Sequence, residues 1–222
     1  MGKVVTIDGP AASGKTSVSR ELAKRLGWKW VSTGAFYRGL GYAALKLKLD
    51  LNDEDALAAL AQRSDVWAVE MRDEETKVLF QGRDVTNDVQ AEDIGQVASK
   101  ISHFPKVRAS LLASQRDCQA TTEGLVAEGR DCGTIVFPGA EAKIYLTAKQ
   151  ENRAERRAKE QGLSTEETIE AQKQRDLQDS TRKAAPLAVA EEALVVDTTD
   201  LNFEEVVKAV EAFARPRIVG HA

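Results

Sequence analysis

Gly9-Pro10-Ala11-Ala12-Ser13-Gly14-Lys15-Thr16 has the form G-x-x-x-x-G-K-T, the spacing of a phosphate-binding loop. Gly9 and Gly14 allow backbone dihedrals that a side chain would forbid. The turned backbone then aims several N–H groups at one concavity, which suits a polyphosphate. Lys15 adds a point charge for the β- and γ-phosphates, and the hydroxyl of Thr16 is placed to reach Mg²⁺. A helix opening at this point contributes the partial positive charge of its N-terminus. The flanks agree. Val4-Val5-Thr6-Ile7 is a β-branched run without polar alternation, as in a buried parallel strand. Val18, Leu22 and Leu26 follow at helical spacing, and Gly27 suits a C-cap.

Working outward, further strands are expected at Trp28–Val31, Leu125–Ala127, Lys143–Thr147 and Leu194–Asp197. Trp28 and Trp30 fall on one face of the first of these, where packing is favoured over base stacking. Helices are expected at Ala35–Leu47, from Asn52-Asp53-Glu54-Asp55 through Leu57 and Leu60, at Glu92–His103 and at Pro105–Ala120. A closing helix carries Phe203, Val206, Val207, Val210 and Phe213 on one face. Strands alternating with helices imply a parallel sheet. The pattern changes between them. Val66–Met71, Lys77–Gln81 and a short segment from Gly82 read as a small antiparallel insertion. Lys149–Gln161 and Ser164–Arg182 read as two polar helices, the second opened by a capping-box-like Ser164 and Glu167. Their shortage of apolar residues suits a mobile arm.

The chain has 222 residues, 42% of them hydrophobic and 30% charged, which is ordinary for one large α/β domain with insertions. No apolar stretch approaches the roughly 20 residues of a membrane span. The first strand starts almost at the N-terminus, so no signal peptide is expected and the cytoplasm is the natural compartment. Two cysteines, Cys118 and Cys132, and two histidines exclude a disulfide framework and a histidine-rich metal site. A net charge of −4 argues against a nucleic-acid polymer as partner. Any anionic ligand must therefore be met by a local cluster of arginines. A switch GTPase would need a guanine-reading N-K-x-D box, and the sequence has none. A small-molecule kinase needs a second anion site and a lid of arginines, and candidates for both are present.

Five segments then carry a specific resemblance: D-G-P-A-A-S-G-K-T (Asp8–Thr16), T-G-A-F-Y-R (Thr33–Arg38), H-F-P-K-V-R (His103–Arg108), E-G-R-D-C-G-T-I-V-F-P (Glu128–Pro138) and R-D-L-Q-D-S-T-R-K-A-A-P-L (Arg175–Leu187). Together they resemble the bacterial cytidylate kinases, from Thr6 to about Thr198. The resemblance implies a P-loop NTPase fold: an α/β unit with a five-stranded parallel sheet core, an inserted monophosphate-binding domain and a helical lid. The core would be residues 1–32, 106–150 and 185–222, the acceptor-binding region 33–105 and the lid 151–184. The implied reaction moves the γ-phosphoryl group of ATP, with Mg²⁺, to CMP or dCMP in a monomeric enzyme.

Site residues follow from the same resemblance. Gly9, Pro10, Ala11, Ala12, Ser13, Gly14, Lys15, Thr16 and Ser17 would bind ATP, with Thr16 also on Mg²⁺. Arg153, Arg156 and Arg157 fall in the lid, with Arg153 and Arg157 reaching ATP. Thr33, Ser99, Arg108 and Asp131 match positions that read cytosine. Tyr37 and Arg38 match the acceptor-side helix, with Arg38 on the acceptor phosphate. Arg175 and Asp179 match a ribose-contacting pair. Arg130 and Arg182, with Lys15, would stand near the transferring phosphoryl group.

Elementary chemistry favours these roles. Each pair of unit charges about 4 Å apart repels by roughly 4 kcal/mol at an effective dielectric of 20, so two phosphates meet only among cations. Guanidinium forks match phosphate oxygens. A carboxylate such as Asp131 accepts from the cytosine amine. Other readings stay open at this level. Arg130 and Asp131 could form an internal ion pair. Glu128 could orient Mg²⁺ through water or cap a loop. The arginines near residue 155 could be a solvated helix face, and Tyr37 could be packing. An acceptor such as UMP, AMP or shikimate, or a non-catalytic nucleotide-binding module, are the rival functions. Ser32, Gln90 and Gln178 stand where the family often has aspartate, arginine and arginine. Arg83 is a candidate to replace the phosphate contact absent at Gln90.

Overall fold

A computed structural model describes residues 2–72, 75–161, 165–181 and 185–219. The apolar runs form five parallel strands: β1 (Lys3–Asp8), β2 (Lys29–Ser32), β6 (Gly124–Gly129), β7 (Ala142–Thr147) and β8 (Leu194–Asp197). Their spatial order is β2-β6-β1-β7-β8, with β1 central and paired to both β6 and β7. The chain passes from β1 over β6 to β2, and later enters β7 on the other side. The order therefore reverses at β1, and ligands of such sheets bind at that reversal, beyond the carboxyl ends of the strands. Asp8, Ser32 and Gly129 are the last residues of β1, β2 and β6.

Alternate residues of β1 face opposite layers. Val5 and Ile7 pack with Val18 and Leu22 of α1 (Lys15–Leu26) and Val206, Val207 and Val210 of α8 (Phe203–Val219). Val4 joins the other layer, with Val107 and Leu111 of α5 (Pro105–Ala120) and Leu57 of α3 (Glu54–Ala61). Trp30 is buried and its Nε1 donates to Ser19 Oγ at 2.7 Å, tying β2 to α1. Trp28 packs against the same layer, so both tryptophans are packing residues. Asp53 caps α3 by accepting from the Ala56 amide at 3.0 Å. Phe203, expected on the buried face of α8, is instead 49% exposed.

The insertion is a three-stranded antiparallel sheet, β3 (Trp67–Met71), β4 (Thr76–Phe80) and β5 (Arg83–Asp84), in the order β3-β4-β5. It lies against α2 (Gly34–Lys46), where the absence of a side chain at Gly39 leaves room for the Trp67 ring and Val78. Trp67 Nε1 donates to Leu60 O at 2.9 Å, and Ser32 N donates to Thr76 Oγ1 at 3.1 Å. The inserted sheet is thus fastened both to α3 and to the end of a core strand. Helix α4 (Glu92–Ile101) stops two residues before the expected His103. Helices α6 (Gln150–Gln161) and α7 (Thr165–Thr181) occupy the polar stretch. They are anchored more than their composition suggests, since Ala154, Ala158, Arg153 and Asp179 are all buried. The Ser164 cap and the Glu167 side chain lie outside the described residues. One turn was not anticipated: Cys132–Val136 forms a π-helical turn although Thr134, Ile135 and Val136 are β-branched. Arg116 holds it by donating to the Ile135 and Val136 carbonyls, both at 2.9 Å.

The fastening at Trp67 is testable by urea unfolding. Trp67→Phe keeps most of the packing but loses the Leu60 bond, and is expected to cost about 1–2 kcal/mol. Trp67→Ala is expected to cost about 3–5 kcal/mol. A loss below about 0.5 kcal/mol for the alanine variant would show that the insertion is not seated this way.

Candidate active site

The phosphate loop connects β1 to α1. Gly9 has φ 150°, and a Cβ there would lie 2.0 Å from the Leu146 carbonyl oxygen of β7. Gly14 caps α1 with φ 87°, as its spacing predicts, and Ala12 also takes a positive φ of 56°. A left-handed alanine carries strain of order 1 kcal/mol, a cost that recurs at ligand clamps. Lys15 is buried, with Nζ donating to Pro10 O at 2.7 Å across the loop. Ser13 Oγ is buried with no hydrogen-bond partner among the described residues.

Thr16 Oγ1 lies 3.3 Å from Glu128 Oε1, at the end of β6. The described residues contain no cluster of three His, Cys, Asp or Glu side chains able to hold a metal. The Thr16–Glu128 arrangement still fits Mg²⁺, which takes few protein oxygens and keeps substrate phosphates and water as its other ligands.

A cleft of about 240 Å³ opens beside the loop, with Lys15, Thr16, Thr33, Tyr37, Arg38, Ser99, Glu128, Arg130, Asp131 and Asp179 on its walls. Asp131 is buried and ion-paired with Arg108 Nη2. Arg108 also donates to Ser102 O at 3.3 Å and lies over the Tyr37 ring at 5.5 Å. Tyr37 therefore supports an arginine besides packing. Arg130, on the same cleft, pairs with Asp179 on α7, Nε to Oδ2 at 2.8 Å. Each of these two neighbours thus pairs with a distant residue. Burial opposes the Arg130 charge, but Asp179 beside it raises its pKa above the usual arginine value.

The other acceptor-side residues converge on the same cleft. Thr33 Oγ1 donates to Glu128 O at 3.0 Å, and Gln115 Nε2 holds Thr33 O at 3.3 Å. Arg38 donates to Val89 O at 2.6 Å and Ala91 O at 3.2 Å. Gln90, between those carbonyls, faces the cleft, whereas Arg83 sits exposed on β5 and is not among the cleft residues. Ser99 Oγ donates to Gln178 Oε1 of α7 at 3.1 Å. Cys132 lies 3.3 Å from Thr33 Oγ1, and burial together with Asp8 and Asp131 raises its thiol pKa well above normal. It is no candidate nucleophile.

On the other side of the loop lies a second cavity of about 310 Å³, between Ala12, Ser13, Gly14, Ser17 and Val18 and the apolar pair Leu201 and Phe203. Sequence reasoning missed it. Its one signal in the sequence was Phe203, an aromatic at the very start of the closing helix. Arg156 frames this cavity by donating to Thr198 Oγ1 at 3.0 Å and Thr198 O at 2.8 Å. Arg153 is buried, with Nη1 bonded to Ala11 O at 3.1 Å and to Asp176 Oδ2 at 2.6 Å. These two arginines do not form a solvated face. The side chains of Arg157 and Arg175, and all of Arg182, lie outside the described residues.

Comparison with known proteins gives a consistent picture. A family profile described as cytidylate kinase matches residues 5–215. A curated cytidylate kinase of Bdellovibrio bacteriovorus is 63% identical over 218 residues, 98% of this chain and 100% of that protein. One from Aeromonas salmonicida is 43% identical, covering 98% and 96%. Among solved structures, a gluconokinase from Sinorhizobium meliloti superposes with a TM-score of 0.52 at 16% identity, over 99% of this chain and 94% of that one. That likeness concerns the fold alone.

Proposed function

Since this chain belongs to the cytidylate kinase family, we propose that it transfers the γ-phosphoryl group of ATP to CMP and dCMP, giving ADP with CDP or dCDP. The observation that carries this reading is the partly buried Arg108–Asp131 pair at a cleft that opens onto the phosphate loop. Cytosine presents an amine donor beside ring acceptors. Asp131 accepts from the amine and Arg108 donates to the acceptors. A uracil carbonyl would face Asp131 with no proton to share.

In this reading the phosphate loop and Lys15 hold the β- and γ-phosphates of ATP. The second cavity, open to Phe203 and Leu201, takes the base of the donor. Arg38 holds the acceptor phosphate, and Arg130 lies between acceptor and donor. An oxygen of the acceptor phosphate attacks the γ-phosphorus, and the bond from that phosphorus to the bridging oxygen of ADP breaks. Mg²⁺, when bound, would be held by Thr16 and phosphate oxygens, with Glu128 behind them, and would supply neutralising charge. No protein nucleophile is needed, because positioning and charge carry such transfers. Asp179, with Arg175, orients the ribose, and Arg153, Arg157 and Arg182 belong to the closing lid. Residues 33–105 form the acceptor-binding region and 151–184 the lid, and their closure excludes water. We read the enzyme as a cytoplasmic monomer. Among the described residues no helix is long and apolar enough to cross a membrane.

Two variants test the assignment by steady-state kinetics. Lys15→Ala is expected to keep the fold and lose more than tenfold in kcat/KM, over about 1.4 kcal/mol. Retention of more than a tenth of the activity would contradict the role. Asp131→Asn is expected to lower kcat/KM for CMP more than for UMP, because the amide can turn its N–H₂ toward a carbonyl. An equal loss for both acceptors would show that Asp131 does not read the base.

A further inference from the structure

Asp8 ends β1 directly before the phosphate loop and does not line the acceptor cleft. It is 3% exposed. Its two carboxylate oxygens accept from two successive amides: Oδ1 from Cys132 N at 2.9 Å and Oδ2 from Gly133 N at 2.7 Å. Those amides start the π-helical turn that directly follows Arg130 and Asp131. The turn sits tightly on β1, since a Cβ at residue 133 would lie 2.9 Å from Thr6 Oγ1 and 3.4 Å from Asp8 Oδ2.

We propose that Asp8 is a positioning residue for the transfer: its carboxylate sets the turn that carries Arg130 and Asp131, and so fixes the acceptor site against the phosphate loop. The inference rests on the assignment of Arg130 and Asp131 given above. Only an ionised carboxylate can do this in full, because both amides are donors and each needs an acceptor. The state is costly. Burial, with a smaller contribution from the charge of Asp131, raises the Asp8 pKa from 3.8 to about 6, even though the two amides pull it down. The sign follows. A buried acid with a raised pKa stabilises the fold below its unfolded value and loses that stabilisation as pH rises through about 6. A carboxylate kept where it works against stability at neutral pH is expected of a functional position. The other titratable groups around it are Asp131 and Cys132 on the turn, Glu128 beside them at the end of β6, and Tyr145 on β7.

The test is Asp8→Asn. Asparagine offers one acceptor, and its amide group meets the second N–H donor to donor. We expect KM for CMP to rise at least tenfold and the CMP-over-UMP preference to narrow at least threefold, with KM for ATP within twofold. The pH profile separates positioning from simple packing. The phosphate of CMP titrates near pH 6 for both proteins, so the ratio of wild-type to variant kcat/KM cancels it. That ratio is expected to fall as pH goes from 7.5 to 5.5, as wild-type Asp8 takes up its proton. A constant ratio, an unchanged KM for CMP, or equal losses for ATP and CMP would each overturn the proposal. Should the variant not fold, Gly133→Ala, which crowds the turn off an intact Asp8, is judged by the same KM and preference criteria. The proposed function fails separately, if the wild-type protein does not phosphorylate CMP.

Discussion

Two polyanions must meet in this protein, and their repulsion sets the terms for the rest of the structure. The chain as a whole is acidic, with a net charge of −4, so the cations have to be gathered locally. The parallel sheet does this by ending β1, β2 and β6 at one edge, where the phosphate loop, the Thr33 turn and the Arg130–Asp131 turn lie side by side. Helix α1 adds its N-terminus at the same place.

Gathering cations creates a second problem, because arginines crowded in a protected cleft repel one another and lose hydration. Three of them are met by carboxylates: Arg108 by Asp131, Arg130 by Asp179 and Arg153 by Asp176. Each partly buried pair keeps its guanidinium oriented, and breaking one would leave an uncompensated charge at a cost of several kcal/mol. The pairs also join separate elements. Asp176 and Asp179 are on α7, Arg153 is on α6, and Arg130 and Asp131 follow β6. Arg153 reaches Ala11 of the phosphate loop as well. Phosphates arriving in the cleft would compete for these guanidinium groups, which links substrate binding to the position of α7 in our reading.

Much of this was legible in the sequence, for physical reasons that differ by element. The central strands β1 and β6 are buried on both faces, so their apolar runs stand out, and the phosphate loop needs glycine at fixed spacing. The hairpin at residues 67–80 shows as two short, mostly apolar runs around a charged turn. What stayed hidden depends on distant partners. Nothing local shows that Arg130 pairs with Asp179, 49 positions away. The π-helical turn runs against β-branched propensity, and it is held by Arg116 and Asp8 from other parts of the chain. Ala12 carries a positive φ that alanine does not advertise. The second cavity is built by the segment Thr198–Phe203, whose Phe203 reads as part of the packed face of the closing helix until the fold brings it to the phosphate loop.

In our reading the Arg108–Asp131 pair makes this a kinase for cytosine monophosphates. The most direct test is ADP release by the unaltered protein, measured side by side with CMP, dCMP, UMP and AMP as acceptors. An unsatisfied buried charge facing the wrong base costs upwards of about 1–3 kcal/mol. The account therefore predicts that CMP and dCMP exceed UMP and AMP by at least about tenfold in kcat/KM. Turnover of UMP or AMP as efficient as that of CMP would contradict it.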